Sequence, residues 1–130
     1  MVKCGIGPYF HPKETDMKYA LFIYEDESIY GADKAGPKIQ EIVGKHMAFN
    51  QQLGTKRIGG SGLKNTATAT TVRTTGGKKT VHDGPFAEAR EQLGGFYLIE
   101  AEDLDEAIEI AKKVPVLQDG AIEIRPLLAA

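Results

Sequence analysis

The stretch FYLIEAEDLDEAIEIAKKVP, residues 96–115, indicates the fold class. Its first five residues are mostly bulky and apolar, which predicts a strand. Asp103 is a preferred helix N-cap, and Glu106 follows at the three-residue spacing of a capping box. Apolar residues then recur at three- and four-residue steps until Pro115 ends the helix. These residues are Leu104, Ala107, Ile108, Ala111 and Val114. The stretch therefore predicts a strand followed directly by an amphipathic helix.

The same order of strand and helix occurs earlier in the chain. Residues 19–24 form an apolar run that predicts a strand. A helix is predicted from Pro37, since proline is tolerated in the first helical turn, and Gly54 ends it. Its apolar face also carries a histidine. The face comprises Ile39, Ile42, Val43, His46, Phe49 and Leu53.

Short strands are predicted between the two helices. Residues 56–63, 66–74 and 78–82 have strand composition, with Gly76-Gly77 as a tight hairpin turn. Residues 83–95 fit neither period and are predicted to be a loop. After the second helix, apolar residues alternate with Glu123 and Arg125 in a last strand.

The resulting order, β-α-β-β-(β)-loop-β-α-β, predicts an α+β fold. Two helices separated by antiparallel strands favour a ferredoxin-like split βαβ sandwich with both helices on one face of the sheet. The other face also carries apolar residues and needs cover. A second copy of the chain is the simplest cover, and we expect this closure to create the pocket.

The chain has 130 residues, the length of a single domain. Residues 1–16 contain glycines and prolines without periodicity, which predicts an irregular N-terminal arm. The folded domain is predicted to span residues 17–130. The arm is either an upstream extension or a segment that packs on the body or on a neighbouring subunit.

Composition excludes several classes of function. The formal net charge is −2 and no basic stripe is present, so direct nucleic-acid binding is not expected. Cys4 is the only cysteine, and the three histidines lack metal-ligand spacing, so neither a metal nor another cofactor is predicted. No apolar run approaches the roughly 20 residues that cross a bilayer. The sequence favours a cytoplasmic protein that does not bind membranes.

Four segments resemble the DGPF-motif branch of the YCII-related family, in the same order along the chain. They are MKYALFIYEDE (17–27), ATATTVR (67–73), HDGPFAEAREQLGGFYLIEAEDLDEA (82–107) and AIEIRP (121–126). The resemblance implies a dimeric α+β barrel, in which the sheets of two ferredoxin-like subunits pack together. It also implies one of two roles. Some relatives bring a histidine and an aspartate together in a cleft, and others are encoded beside extracytoplasmic-function sigma factors.

His46 and Asp83 are the candidate catalytic residues. Imidazole titrates near neutral pH and suits proton transfer, while Asp83 supplies a base or orients the histidine. The alternatives are a hydrogen-bonded core or interface histidine and an aspartate that fixes the turn before Gly84.

Arg73, Asp83 and Tyr97 are the candidate ligand-binding residues. Arg73 presents a cation to an acidic ligand, or else pairs with Glu88 or Glu91; Tyr97 supplies a hydroxyl, or else only packs. We expect a homodimer that binds a small organic molecule between sheet and helices, with acid–base enzymatic activity left open. The alternative is a non-catalytic sensory or interaction protein whose partner is a sigma-factor-related regulator.

Overall fold

The computed structural model describes residues 17–31 and 34–128. The predicted arm, residues 1–16, lies outside this part of the chain. The described residues form two α-helices and six β-strands. In chain order these are β1 (Met17–Glu25), α1 (Pro37–Leu53), β2 (Arg57–Gly62), β3 (Thr70–Thr75), β4 (Lys78–Asp83), β5 (Gln92–Ala101), α2 (Leu104–Ala111) and β6 (Gly120–Pro126).

Four strands form an antiparallel sheet in the order β2-β5-β1-β6, and β3 with β4 forms a separate two-stranded ribbon. Helix α1 connects β1 to β2, with β5 between them, and α2 connects β5 to β6, with β1 between them. Each helix thus completes a split βαβ unit. The α+β, ferredoxin-like prediction is confirmed at this level, with the ribbon as an addition between β2 and β5.

The core lies between one face of the sheet and the two helices. Alternate residues of the central strands β1 and β5 point to this face, and Leu21 and Ile99 at its centre are 0% exposed. Helix α1 enters the core through Phe49 and Leu53 near its carboxyl end. The other core residues are Tyr19, Ile23, Tyr97, Ala101, Ala107, Ala111 and Val114.

The start of α2 confirms the predicted capping box. The Asp103 carboxylate accepts a hydrogen bond from the Glu106 N–H at 2.9 Å. Glu106 in turn accepts from the N–H of Glu102 at 2.7 Å, one residue before the cap, and pairs with Lys56 at 2.9 Å. These contacts, the backbone hydrogen bond first, lower the pKa of Glu106. Leu104, the first helical residue of the predicted apolar face, is 50% exposed.

The boundaries of two predicted strands were wrong. The strand predicted from residue 66 begins at Thr70, because Thr66–Thr68 form a 3-10 turn. The Glu27 carboxylate holds this turn, accepting from the Thr66 N–H at 3.1 Å and the Thr66 hydroxyl at 2.6 Å. The last part of the predicted loop belongs to β5, which begins at Gln92 rather than residue 96. The Gly76-Gly77 hairpin turn is confirmed, with φ of +58° and +81°.

Gly60 gives a test of the packing of β2 on β5. Its φ is +140°, and a Cβ there would lie 2.5 Å from the Phe96 carbonyl oxygen. We expect Gly60→Ala to lower the free energy of unfolding by about 1–3 kcal/mol, since strain and a backbone clash combine. Gly44→Ala is the matched control, because Gly44 lies within α1 and its Cβ would meet open space. This control should raise stability by about 0.5–1 kcal/mol. Denaturant unfolding measures the free energy of unfolding of both variants. Equal changes in Gly60→Ala and Gly44→Ala would contradict the close packing of β2 on β5.

Candidate functional site

A cavity of about 270 Å³ lies between α1 and the sheet. Helix α1 supplies Ile39, Ile42, Val43, His46, Met47 and Asn50 to its wall. Below them the sheet carries Gly94 and Gly95, which lack side chains and so leave space under the helix. A single chain forms this cavity. The expectation that a second copy creates the pocket is therefore wrong for this site.

His46 and Tyr97 meet in the cavity wall. The imidazole Nδ1 lies 2.7 Å from the Tyr97 hydroxyl, and the rings are stacked with centroids 5.8 Å apart. Phe49 packs edge-on against the Tyr97 ring at 5.2 Å, which fixes its orientation. Tyr97 is 5% exposed and His46 is half-buried. Two residues predicted separately, 51 positions apart, thus form one hydrogen-bonded pair.

The surroundings of His46 favour its neutral form. Burial lowers the pKa of the imidazole below its ordinary value of 6.5, and a hydrogen bond to the Pro115 backbone partly opposes this. Proline has no backbone N–H, so its carbonyl accepts from the imidazole. In the neutral tautomer that carries its proton on Nε2, Nδ1 accepts the hydrogen bond of the Tyr97 hydroxyl.

Arg57 on β2 adds a cation to the same wall. Its guanidinium carbon lies 5.7 Å from the centre of the Tyr97 ring, and Nη2 donates to the Gly60 carbonyl at 2.9 Å. Burial raises the pKa of Tyr97, and the charge of Arg57 opposes that rise. The Nε of Arg57 and the Oδ1 of Asn50 are both buried without a hydrogen-bond partner. Both residues line the cavity, and the sequence reasoning missed both.

A second polar cluster in the cavity wall surrounds Glu25. This carboxylate is 7% exposed and accepts from the Tyr30 hydroxyl at 2.8 and 3.0 Å. Burial, followed by the bond to Glu25, raises the pKa of Tyr30 far above its usual range. Lys34 Nζ lies 6.0 Å from the centre of the Tyr30 ring and donates to the Leu63 carbonyl at 2.9 Å. Glu25 is the last residue of β1, and Tyr30 and Lys34 follow it in the chain.

Arg73 and Asp83 lie on the exposed ribbon and do not line this cavity. The Arg73 guanidinium carbon lies 5.0 Å from the centre of the Phe86 ring, and no ion pair joins it to Glu88 or Glu91 in the described chain. The turn after Asp83 is held by the Gly84 N–H, which donates to the Ala69 carbonyl at 2.8 Å. The structure thus brings His46 to Tyr97 rather than to Asp83, and the roles predicted for Arg73 and Asp83 stay predictions.

No group of three or more His, Cys, Asp or Glu side chains within residues 17–31 and 34–128 is arranged to hold a metal ion. None of the helices in the same ranges combines the length and apolar character that a membrane span requires.

Fold and site define a small α+β domain with ferredoxin-like topology and a partly polar cavity under its first helix. The sequence profile of the YCII-related domain matches residues 17–129. An uncharacterized protein of Rhizobium meliloti (strain 1021) is 35% identical over 119 residues, which cover 85% of this chain and 92% of the relative. The chain belongs to the YCII-related family.

The buried position of His46 predicts a pH dependence of stability. Because folding lowers its pKa below 6.5, the unfolded chain binds this proton more tightly than the folded chain. The free energy of unfolding should therefore fall as the pH drops through 6.5 towards the folded pKa, and level off below it. His46→Gln should remove this part of the slope, while His82→Gln, on the exposed ribbon, should retain it. Urea unfolding at a series of pH values measures the free energy of unfolding of each variant. If its slope against pH is unchanged in His46→Gln, this pH dependence does not come from His46.

Proposed function

We propose that the protein is a cytoplasmic homodimer of the DGPF branch that binds a small organic molecule in the cavity between α1 and the sheet. His46 and Tyr97 act there as a proton-transfer pair. The observation that carries the proposal is the 2.7 Å hydrogen bond between His46 Nδ1 and the Tyr97 hydroxyl in the cavity wall. A fixed base and a hydroxyl in the wall of a partly polar cavity are components of general acid–base chemistry.

The hydrogen bond between His46 and Tyr97 suggests how the pair works. As a bound molecule loses a proton to the Tyr97 oxygen, Tyr97 passes its own proton to His46 Nδ1, and the freed electron pair stays on the bound molecule. The Pro115 backbone, which favours the charged imidazole, stabilises the imidazolium that forms. A lowered pKa keeps His46 neutral, and so able to accept, at neutral pH. The reverse transfer makes the same pair an acid.

The composition of the wall supports binding of a molecule that is apolar in part. Val43 and Met47 of α1 line the cavity and are 48% and 62% exposed, although both are apolar. Apolar walls with a few convergent polar groups are typical of sites for small molecules. A volume of about 270 Å³ is close to the lower end of the roughly 300–1,000 Å³ range of ligand pockets, which favours a small ligand.

The proposed dimer rests on the sheet face that the helices leave uncovered. Leu21 and Ile23 point to the core, so by alternation Phe22 points to the opposite face. There Phe22 is the cross-strand partner of Phe96, and the neighbouring pair on that face is Ala20 with Leu98. Phe22, Phe96 and Leu98 are partly exposed, while Ala20 is 5% exposed. In the proposed two-fold dimer an identical face covers the partly exposed residues.

Phe22→Gln tests the dimer. The substitution places an amide where the proposed interface is apolar and should shift the protein from dimer to monomer in sedimentation velocity. Leu104→Gln is the control, since Leu104 is 50% exposed on α2, away from this face, and should leave the dimer intact. Circular dichroism shows whether both variants are folded. Wild-type protein that sediments as a monomer at all working concentrations would contradict the proposal.

An interaction protein is the second candidate function, and the ribbon favours it. Val72 and Val81 are directly paired across β3 and β4 and are 61% and 67% exposed. Phe86, which follows β4 and contacts Arg73, is 71% exposed. An isolated two-stranded ribbon is only marginally stable in water, so a partner would stabilise it. In this alternative the partner is a regulator of the sigma-factor-linked kind. A ribbon variant, Val72→Thr with Val81→Thr, should then lose that partner and remain a dimer.

Tyr97→Phe tests the binding role, since it removes only the hydroxyl. A library of small organic fragments should yield ligands that shift amide NMR signals of α1 and β5 around His46 and Tyr97. Those that hydrogen-bond the hydroxyl should bind Tyr97→Phe about 2- to 10-fold more weakly. Binding of the same ligands to Asp83→Asn is measured in parallel. If this variant binds them with wild-type affinity, the predicted binding role of Asp83 is wrong. If no compound of the library binds in the cavity, the binding proposal is wrong.

A further inference from the structure

We infer that Lys34 is a nucleophile that forms a Schiff base with a small aldehyde or ketone bound in the cavity. The ε-amine adds to the carbonyl carbon of the bound molecule, and loss of water leaves a carbon–nitrogen double bond. The inference rests on the proposed function, because it names the class of molecule that the same cavity binds. Lys34 was not a candidate in the sequence, and three features of the structure single it out.

The first feature is the backbone conformation of Lys34. Its φ is +53°, and no other residue except glycine has a positive φ within residues 17–31 and 34–128. This region is unfavourable for a residue with a side chain, whereas glycine adopts it freely. Residues held in such conformations cluster at functional sites. A lysine at a position that suits glycine therefore points to a role for its side chain.

The second feature is the position of the amine at the floor of the cavity. A Cβ at Gly94 would lie 3.7 Å from Lys34 Nζ, and both residues line the cavity. Because Gly94 has no side chain, nothing from this residue covers the amine. Lys34 is partly exposed, and its hydrogen bond to the Leu63 carbonyl is exposed as well. A molecule that enters the cavity can therefore reach Nζ.

The third feature is that the contacts of Lys34 orient the amine without occupying it. Nζ donates to the Leu63 carbonyl at 2.9 Å and lies 6.0 Å from the centre of the Tyr30 ring. No carboxylate forms an ion pair with Lys34 in the described part of the chain. Glu25, which also lines the cavity, accepts from the Tyr30 hydroxyl instead. A neutral amine that donates to Leu63 still has its lone pair for attack on a carbonyl carbon.

The pair of His46 and Tyr97 supplies the proton transfers of this reaction. As the carbon–nitrogen bond forms, the π electrons of the carbonyl move to its oxygen, which takes up a proton, and the nitrogen loses one. A further proton on that oxygen lets water leave, and the nitrogen lone pair closes the double bond. The net change is amine plus carbonyl to imine plus water, so no other reactant is needed. His46 and Tyr97 line the same cavity and give and take these protons.

Reductive trapping tests the inference, with benzaldehyde as the probe and sodium cyanoborohydride as the reductant. The reductant converts the imine into a stable secondary amine, which peptide mass spectrometry assigns to individual lysines. We expect Lys34 of the folded protein to be labelled about 10-fold faster than any other lysine, because the cavity holds the aldehyde beside it. Unfolding in urea should abolish this preference. Benzyl alcohol, which has a similar shape and no carbonyl, should compete for the cavity and slow the labelling of Lys34 alone.

Two variants remove the nucleophile. Lys34→Arg keeps the positive charge and the N–H donors but has no ε-amine, and the fast labelling should be lost. Lys34→Gly suits the φ of +53° and provides the comparison if Lys34→Arg does not fold. Lys45→Arg is the matched control, because Lys45 is 53% exposed on α1, pairs with Glu41 and does not line the cavity. Lys34 in this control should react as in wild type. The melting curve of each variant shows whether it is folded.

The outcomes separate this inference from the proposed function. If benzyl alcohol or any library fragment binds in the cavity and Lys34 reacts no faster than Lys45, the Schiff-base inference is wrong and the binding function stands. Fast labelling of Lys34 that benzyl alcohol does not slow also contradicts the inference. If no compound binds in the cavity and Lys34 shows no preference, both are wrong. Fast labelling of Lys34 that benzyl alcohol slows, lost in Lys34→Arg and retained in Lys45→Arg, supports both.

Discussion

The antiparallel pairing of β1 with β5 positions both the core and the cavity. Along most of its length it places apolar side chains, with Leu21 and Ile99 at 0% exposure, under the helices. At the end of the pairing the register shifts, so that Ile23 pairs with Gly95, Tyr24 with Leu93, and Gly94 is the extra residue of a bulge. On one side of the bulge, side chains fill the space between the sheet and the helices. At the bulge, Gly94 and Gly95 have no side chains, and this space stays open.

Helix α1 spans both regions, and this explains the nature of its exposed residues. Its carboxyl end is anchored in the core by Phe49 and Leu53. The part that lies over the glycines has no core beneath it and presents its apolar side chains to the cavity instead. The exposure of Val43 and Met47 follows from this position, because both residues line the cavity instead of packing in the core.

Local signals in the sequence predicted the fold well, and longer-range features were missed. The capping box of Asp103 and Glu106 and the Gly76-Gly77 turn depend on residues within a few positions, so their patterns are visible in the chain. The pair of His46 and Tyr97 depends on α1 crossing β5, and the sequence named each residue without joining them. Arg57, Asn50 and Glu25 showed no pattern at all. Their positions in the cavity wall come from burial and from contacts between distant residues, which only the folded chain defines.

The proposed dimer and the proposed site lie mainly on opposite faces of the sheet and meet at β5. Along β1, Ile23 lines the cavity while Phe22 points to the opposite face. On β5, Phe96 pairs with Phe22 and also lines the cavity, next to Tyr97. Closure by a second copy over Phe22 and Phe96 would therefore touch a residue of the cavity wall. Because β5 also carries the bulge at Gly94, the strand that would meet a second copy forms part of the cavity floor.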